Sequence, residues 1–180
     1  GDSGPNTGGM GSISDSNFTL PFLSRNARDE AAHIMIDIVR SMNSENTPFK
    51  GVMYGQFMDS PRGVKVIEIN ARFADPEGIN VLSLLKSDFV EILHQIYEGN
   101  LQGEKIFEKK ATVLKYIVPV GYGTNPKPGE IQIDDKIFDS GVEIFYASVS
   151  GDMHKLKQSS SRSLAILAKG ESIPEASEIV

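Results

Sequence analysis

Apolar side chains recur at helical spacing in two segments of the chain. Between residues 26 and 42 they return every three or four positions, a period that predicts an amphipathic helix packed on a neighbouring element. The segment from Ser87 to Tyr97 has the same period, and Ser87 can cap its start, so it predicts a second helix. A third helix is expected to start at Pro76, because proline is favoured in a first helical turn. The stripe expected to be buried in the second helix consists of Phe89, Leu93 and Ile96.

Two further segments predict a β-hairpin. Residues 51–58 and 64–70 are rich in apolar side chains, and the turn-forming sequence Asp-Ser-Pro-Arg-Gly joins them. Successive side chains of a strand point to opposite faces, and apolar groups occupy both faces of the second strand. This pattern predicts a strand that is covered on both faces.

The pattern changes near Gly103, where short apolar strands begin to alternate with turn-rich connections. The predicted strands cover residues 112–118, 131–133, 142–149 and 163–168. The sequence therefore predicts a mixed α/β domain over residues 1–103 and a smaller β-rich domain over residues 104–180. From Ser172 onward a first helical turn is predicted that stops almost at once, which indicates a piece of a longer protein.

Composition and charge exclude several classes of function. The net charge of −6 argues against a general nucleic-acid-binding protein, which needs a basic surface for the phosphate backbone. The chain has no cysteine, which excludes disulfides, thiolate metal sites and a cysteine nucleophile. No apolar run is long enough to span a membrane, and no signal peptide is visible. We therefore expect a cytoplasmic protein without a nucleic-acid or membrane partner.

Glu68 and Asn70 lie two residues apart on the second hairpin strand, so their side chains leave the same face. A carboxylate and an amide oxygen side by side are ligands that Mg²⁺ accepts, usually together with substrate phosphates. The alternative is that Glu68 pairs with a lysine or an arginine, or lies at a solvated strand end, because an unpaired buried carboxylate is unfavourable. The residues alone leave both interpretations open.

The opening segment holds five glycines in its first eleven residues. Glycine allows backbone N–H groups to approach an anion closely, although no lysine follows these glycines as in a Walker A loop. A flexible tail is the alternative interpretation. After the hairpin, Asp75 and Glu77 flank Pro76, where two carboxylates suit either a substrate amine or the positive end of a helix dipole. On spacing alone the helix dipole is the preferred explanation.

Three segments taken together resemble one family. They are the run G-P-N-T-G-G-M-G that ends at Gly11, the strand V-I-E-I-N over residues 66–70 and the loop R-F-A-D-P-E over residues 72–77. In sequence, order and separation they resemble the phosphoribosylamine–glycine ligases, the glycinamide ribonucleotide synthetases of purine biosynthesis. The first run is long and uncommon, which makes it far more specific than a single short motif. Gly121-Tyr122 and Arg162-Ser-Leu164 extend the resemblance to the β-rich end.

The resemblance implies an α/β (α+β) protein with the ATP-grasp fold. Residues 1–103 would form the second half of the ATP-grasp core, with antiparallel strands and packed helices, and residues 104–180 most of a small β-rich C-terminal domain. The implied reaction uses ATP, glycine and 5-phosphoribosylamine, and Glu68 and Asn70 fall on the family's ligands for Mg²⁺ or Mn²⁺. No catalytic residue is assigned. The residues implied to line the substrate side of the cleft are Asn6, Thr7, Gly8, Gly9, Met10, Gly11, Asp75, Pro76 and Glu77.

Coverage and three local differences separate the chain from the family's usual pattern. The family has an N-terminal domain and an ATP-covering lid before the glycine-rich run, so the resemblance implies a fragment that lacks this N-terminal half and is inactive alone. Ala74 stands where the family usually has glycine, Asn80 where a small apolar residue is common, and Ser160-Ser161 where a Gly-Gly pair precedes arginine. Two alternatives stay open: another ATP-grasp carboxylate–amine ligase, and a metal- or phosphate-binding module without catalysis.

Overall fold

The computed structural model describes residues 4–180, and this part of the chain forms two compact units. The first unit comprises the chain up to Asn17, Asp75–Val81 and Lys109–Val180, and the second comprises Phe18–Ala74 and Leu82–Glu108. The predicted division at residues 103 and 104 stays a prediction, and the first unit draws segments from both sides of it. None of the helices in residues 4–180 is long and apolar enough to cross a lipid bilayer.

Nine strands and four α-helices form within the described residues. The strands are β1 (Gly11–Ser14), β2 (Tyr54–Met58), β3 (Lys65–Asn70), β4 (Ala111–Ile117), β5 (Glu130–Gln132), β6 (Val142–Tyr146), β7 (Val149–Asp152), β8 (Lys155–Gln158) and β9 (Leu164–Gly170). The helices are α1 (Arg25–Ser44), α2 (Glu77–Leu84), α3 (Phe89–Glu98) and α4 (Ile173–Ile179), and a 3-10 helix covers Asp135–Asp139. The three predicted helices and the hairpin are confirmed.

Two antiparallel sheets form the first unit. The larger has four strands in the order β1-β4-β9-β6, and the smaller has three in the order β5-β8-β7. The central strands β4 and β9 pair over their full length, from Ala111 opposite Gly170 to Ile117 opposite Leu164. Their small and aliphatic side chains are buried on both faces, because an apolar cluster covers each face. One cluster joins Val113, Ala168 and Ala176 of α4, and the other joins Leu114, Ala165 and Leu167, with Ile79 of α2 packed against it.

A buried polar cluster links β1, β4 and the start of α2 within the first unit. The side chain of Asn80 is 2% exposed, and its amide nitrogen donates to the Thr112 hydroxyl at 2.8 Å. The Asn80 amide oxygen accepts a hydrogen bond from the Ser12 hydroxyl. Thr112 is itself fully buried and shares a 2.7 Å hydrogen bond with the Ser14 hydroxyl. Because buried polar groups need hydrogen-bond partners, this cluster fixes the position at which the start of α2 packs against β1 and β4.

The second unit places α1 beside the hairpin β2–β3. Ser24 caps α1, because its hydroxyl oxygen accepts a hydrogen bond from the Ala27 amide at 3.1 Å. Strands β2 and β3 are antiparallel, and a β-bulge interrupts their pairing between Gln56 and Phe57. At Gly55 an added Cβ would lie 2.5 Å from Met35 Sδ, so the missing side chain allows α1 to approach β2 closely.

The prediction that the second hairpin strand is covered on both faces is wrong for this chain. Val66 is 45% exposed and Ile67 is 53% exposed. The physical reason is that the faces of a strand are covered by elements packed above and below the sheet, and in the described residues α1 packs against β2 and not against β3 to a comparable extent. The bulge adds a reason, because Gln56 pairs with Glu68 and Phe57 with Val66, which leaves Ile67 without an opposite residue.

Other local expectations also need correction. Asp88 caps α3, not Ser87, because the Asp88 carboxylate accepts a hydrogen bond from the Glu91 amide at 3.0 Å. In the stripe predicted to be buried, Leu93 is 44% exposed. The strand predicted over residues 142–149 is two strands, β6 and β7. Strands β1 and β8 have only four residues each, too few for their alternation to be recognised.

Candidate functional site

Glu68 and Asn70 form a hydrogen-bonded pair on β3. Glu68 lies opposite Gln56 and Asn70 opposite Tyr54 in the antiparallel register. The Asn70 side-chain amide donates to Glu68 Oε1 at 2.8 Å, so both side chains lie on one face of the strand, as predicted. Glu68 is exposed and Asn70 half-buried, so the alternative of a solvated Glu68 agrees with the structure, whereas Glu68 has no ion pair with a basic side chain among residues 4–180.

The donor set of this pair suits a divalent cation that is shared with a ligand. A carboxylate and an amide oxygen are hard ligands of the type that Mg²⁺ and Mn²⁺ prefer. Among residues 4–180 there is no group of three or more His, Asp or Glu side chains that would hold a metal ion. An ion on Glu68 and Asn70 would therefore take further ligands from phosphate oxygens and water, which is how proteins commonly hold Mg²⁺.

Arg162 organises the part of the first unit that contains the glycine-rich segment. Its side chain is only 18% exposed. Nη1 donates to the Gly9 carbonyl oxygen at 2.8 Å, and Nη2 donates to Asp75 Oδ2 at 2.8 Å. Longer bonds run from Nη1 to the Asp75 carbonyl oxygen at 3.2 Å and to Asp75 Oδ1 at 3.3 Å. The guanidinium thus donates from two nitrogens to the carboxylate and, at the same time, to two backbone carbonyl oxygens.

Tyr116, on β4, completes this cluster. Its ring lies under the Arg162 guanidinium, with 4.6 Å from the guanidinium carbon to the ring centroid. Its hydroxyl donates to Asp75 Oδ1 at 2.7 Å. Burial and then the hydrogen bond to the Asp75 carboxylate raise the pKa of Tyr116 to about 12, so the phenol stays protonated and donates at neutral pH. Asp75 therefore accepts hydrogen bonds from Tyr116 on β4 and from Arg162, two residues before β9.

Close packing within the first unit leaves little room for a side chain at three glycines of the opening segment. A Cβ on Gly8 would lie 3.2 Å from the guanidinium carbon of Arg162 and 3.2 Å from the Tyr122 hydroxyl. A Cβ on Gly9 would lie 2.7 Å from Pro76 Cδ, and one on Gly11 would lie 2.8 Å from the Leu114 carbonyl oxygen. These glycines therefore have a packing function that holds whether or not their amides also face an anion.

The structure brings together some of the predicted site residues and leaves others apart. Segments 8–9 and 75–76 meet through Arg162 and Pro76. Met10 is 50% exposed, and its carbonyl accepts from the Tyr116 amide at 2.8 Å. Asn6 is exposed and Thr7 half-buried, whereas Pro76 is fully buried and Glu77 begins α2. Glu68 and Asn70 belong to the other compact unit.

The sequence did not assign a role to Tyr116, and it placed Arg162 only within a resemblance. An arginine next to a strand and a tyrosine inside one carry no local pattern that points to a site. Asp75 was explained by the helix dipole, yet it precedes the first turn of α2 and pairs with Arg162. No local signal in the sequence would have found this pair, because Asp75 and Arg162 lie 87 residues apart.

Known proteins are similar to this chain over the segments described above. Residues 1–78 match the model of the phosphoribosylglycinamide synthetase ATP-grasp (A) domain. Over 181 residues, 99% of this chain, the sequence is 48% identical to the phosphoribosylamine–glycine ligase of Methanococcus maripaludis strain C7, and the alignment covers 41% of that protein. The corresponding ligase of Thermococcus gammatolerans is 46% identical over 180 residues, and 40% of it is covered. The chain thus spans about two fifths of the length of these curated relatives.

Solved structures share the fold. The crystal structure of a phosphoribosylamine–glycine ligase from Thermotoga maritima superimposes with a TM-score of 0.78 at 24% identity, over 99% of this chain and 43% of that one. An N5-carboxyaminoimidazole ribonucleotide synthetase from the same organism gives a TM-score of 0.61 at 13% identity, over 94% of this chain and 49% of that one. The predicted fold class, a mixed α/β part of an ATP-grasp protein with antiparallel strands, is confirmed.

Proposed function

We propose that this chain belongs to the phosphoribosylglycinamide synthetase family, whose ATP-grasp (A) domain model matches residues 1–78, and that the whole protein is a phosphoribosylamine–glycine ligase. The observation that carries the proposal is the 48% identity to a ligase of this name over 99% of the chain, well beyond the matched domain. Because the chain covers 41% of that relative, the activity is proposed for the whole protein and not for this segment alone.

The proposed reaction forms an amide in two steps. A carboxylate oxygen of glycine attacks the γ-phosphorus of ATP, which gives glycyl phosphate and releases ADP. The amine nitrogen of 5-phosphoribosylamine then attacks the acyl carbon, the carbon–oxygen bond to phosphate breaks, and the amine loses a proton. The products are glycinamide ribonucleotide, ADP and inorganic phosphate. This reaction is a step of purine biosynthesis, and we propose that the protein carries it out in the cytoplasm.

Glu68 and Asn70 are the proposed ligands for Mg²⁺ or Mn²⁺. Their hydrogen bond of 2.8 Å fixes the two side chains next to each other on β3, so the pair is arranged before a cation arrives. When bound, the cation neutralises negative charge on the ATP phosphates during phosphoryl transfer. The protein's part is to present two oxygen ligands on one strand face and leave the other positions to phosphate and water.

The segments 6–11 and 75–77 are the proposed lining of the substrate side. The contacts of Arg162 with Gly9 and Asp75 support this assignment, because they hold both segments in one arrangement. A binding segment that is fixed in advance does not lose its conformational freedom when substrate binds. The phosphoribosyl group is the proposed ligand of the glycine-rich segment, since this segment lacks the lysine of a P-loop.

Substitution of the metal pair tests the proposal. In the full-length protein, Glu68→Ala and Asn70→Ala are each expected to lower ligase activity by at least ~100-fold, the scale of losing a metal ligand or its support. Asp59→Ala removes an exposed carboxylate at the hairpin turn and serves as the control, with activity close to that of the wild type. If both variants keep near-wild-type turnover at saturating Mg²⁺ while their circular dichroism stays native, the metal assignment is wrong.

A screen of acceptor amines and donor carboxylates separates the proposed reaction from that of another ATP-grasp ligase. ADP release that needs both glycine and 5-phosphoribosylamine supports the proposal. ADP release with a different carboxylate–amine pair, and none with this one, would replace it.

A further inference from the structure

Arg162 joins two chain segments of the first unit that lie far apart in sequence. Gly9 is 153 residues from Arg162, and its carbonyl oxygen accepts from Nη1 at 2.8 Å. Asp75 is 87 residues away, and both its carbonyl oxygen and its carboxylate accept from the same guanidinium, at 3.2 Å from Nη1 and 2.8 Å from Nη2. One side chain therefore contacts the backbone of both segments that are proposed to line the substrate side.

We propose that Arg162 is a positioning residue that sets the spacing between segments 6–11 and 75–77 before substrate binds. It acts through the backbone of Gly9 and through Asp75, not through the reacting atoms. This proposal rests on the proposed function, because the substrate that the two segments bind is part of that function. The proposal goes beyond that function by assigning the arrangement of the two segments to a residue two positions before β9.

The geometry requires the planar fork of an arginine. Two nitrogens reach the two carboxylate oxygens of Asp75, and one of them also reaches the Gly9 carbonyl oxygen. A lysine ammonium is a compact charge and cannot make this set of bonds in one plane. The Tyr116 ring at 4.6 Å holds the plane of the guanidinium from one side. The absence of a side chain at Gly8 leaves room for the guanidinium, because a Cβ there would lie 3.2 Å from its carbon.

An ordinary stabilising ion pair is the alternative role for Arg162. Asp75 is 50% exposed, and ion pairs with an exposed member contribute little to stability. Such a role predicts that loss of Arg162 changes all kinetic constants alike, or none of them. A positioning role predicts a selective effect on the substrate that the two segments bind.

Steady-state kinetics of the full-length protein distinguish the two roles. Arg162→Ala is expected to raise the KM for 5-phosphoribosylamine about 10- to 100-fold, because small displacements of binding groups have effects of this size, while the KM for ATP stays within about twofold. Arg162→Lys keeps the charge but loses the fork, so a smaller increase with the same selectivity is expected, and this variant carries the test if the alanine variant does not fold. Arg40→Ala is the control, because Arg40 is 76% exposed on α1 and pairs with Asp37. Equal effects on both KM values, or no effect, would overturn the proposal.

Hydrogen exchange of the full-length protein provides a readout that does not depend on catalysis. In Arg162→Ala, the Tyr116 amide, which donates to the Met10 carbonyl oxygen at 2.8 Å, is expected to exchange at least about 10-fold faster than in the wild type, with no such change in Arg40→Ala. If the wild-type protein does not ligate glycine, the proposed function fails, and the exchange result then decides the positioning role alone. Unchanged exchange of the Tyr116 amide in Arg162→Ala would refute the positioning role even in an active ligase.

Discussion

Replacing Gly9 with alanine tests whether the glycine-rich segment is shaped by packing. A Cβ on Gly9 would lie 2.7 Å from Pro76 Cδ and 3.6 Å from the Asp75 carbonyl oxygen. Pro76 is fully buried, and its ring is bonded to its own backbone, so it cannot turn aside as a flexible side chain would. The φ of Gly9 lies outside the left-handed region, so the contact and not backbone strain decides the effect.

The expected size of the effect follows from two opposing contributions. Overpacking of a buried site costs about 1–3 kcal/mol, and a contact this short with a rigid ring belongs in the upper half of that range. Alanine returns roughly 0.4–1 kcal/mol, because it lowers the conformational entropy of the unfolded chain. We therefore expect a net loss of about 1–2 kcal/mol in the free energy of unfolding, or a Tm lower by roughly 2–8 °C for a chain of this length.

Thermal unfolding followed by circular dichroism measures this difference, and the same chain offers a matched control. Gly4 has no atom within 4 Å of an added Cβ, so Gly4→Ala is expected to leave the Tm unchanged or slightly raised. Gly8→Ala should fall between the two, because its neighbours at 3.2 Å are the ends of the Arg162 and Tyr122 side chains. Gly9→Ala with the same Tm as Gly4→Ala would refute the packing explanation.

Three further predictions concern the polar groups and the chain alone. The pKa of Tyr116 is raised from 10.0 to about 12, which favours the neutral phenol in the folded state. The stabilisation from this phenol is therefore complete below pH 10 and is lost as the pH rises towards 12. Alkaline denaturation of Tyr116→Phe should lack this loss of stability between pH 10 and 12, and denaturation curves identical to those of the wild type would exclude it. Asn80→Ala leaves the buried Thr112 hydroxyl without its amide donor and should lower the free energy of unfolding by about 1–3 kcal/mol in urea titrations, whereas an unchanged midpoint would contradict this. The 180-residue chain alone is expected to show no ligase turnover in an ADP-release assay and only weak, Mg²⁺-dependent ATP binding by calorimetry, and turnover at an ordinary enzymatic rate would disprove this.

Local features of the chain could be predicted because their causes lie within a few residues. The pairing of Glu68 with Asn70 follows from the two-residue period of a strand, and it needs no knowledge of the rest of the fold. The cap of α4 by Ser172 follows equally from a hydroxyl placed three residues before the Glu175 amide. Where two candidates stand side by side, as Ser87 and Asp88 do, the choice depends on other partners. The Ser87 hydroxyl accepts from the Ile106 amide, which leaves Asp88 to cap α3.

The exposure of the hairpin could not be predicted from its composition. Val66 and Ile67 have the apolar character of a covered strand, yet both side chains are about half exposed. The composition of a strand indicates which of its faces need to be covered, whereas the structure shows which of its faces are covered in this chain. An apolar surface of this kind favours association with another surface. The curated relatives, of which the chain spans 41%, contain further chain that could supply one.

The arrangement around Asp75 shows most clearly what sequence reasoning lacks. Spacing placed Asp75 and Glu77 together at the start of a helix, and for Glu77 this is correct, since it lies in the first turn of α2. Asp75 instead accepts bonds from Tyr116 and Arg162, which lie 41 and 87 residues further along the chain. No periodic pattern relates positions at such distances, so only the pairing of β4 with β9 brings these donors to the same carboxylate. The Glu68–Asn70 pair and the Arg162 cluster therefore differ in origin: the first is a local property of one strand, and the second exists only once the sheet has formed. It follows that substitutions which weaken the sheet of the first unit should disturb the glycine-rich segment while leaving the hydrogen bond between Glu68 and Asn70 intact.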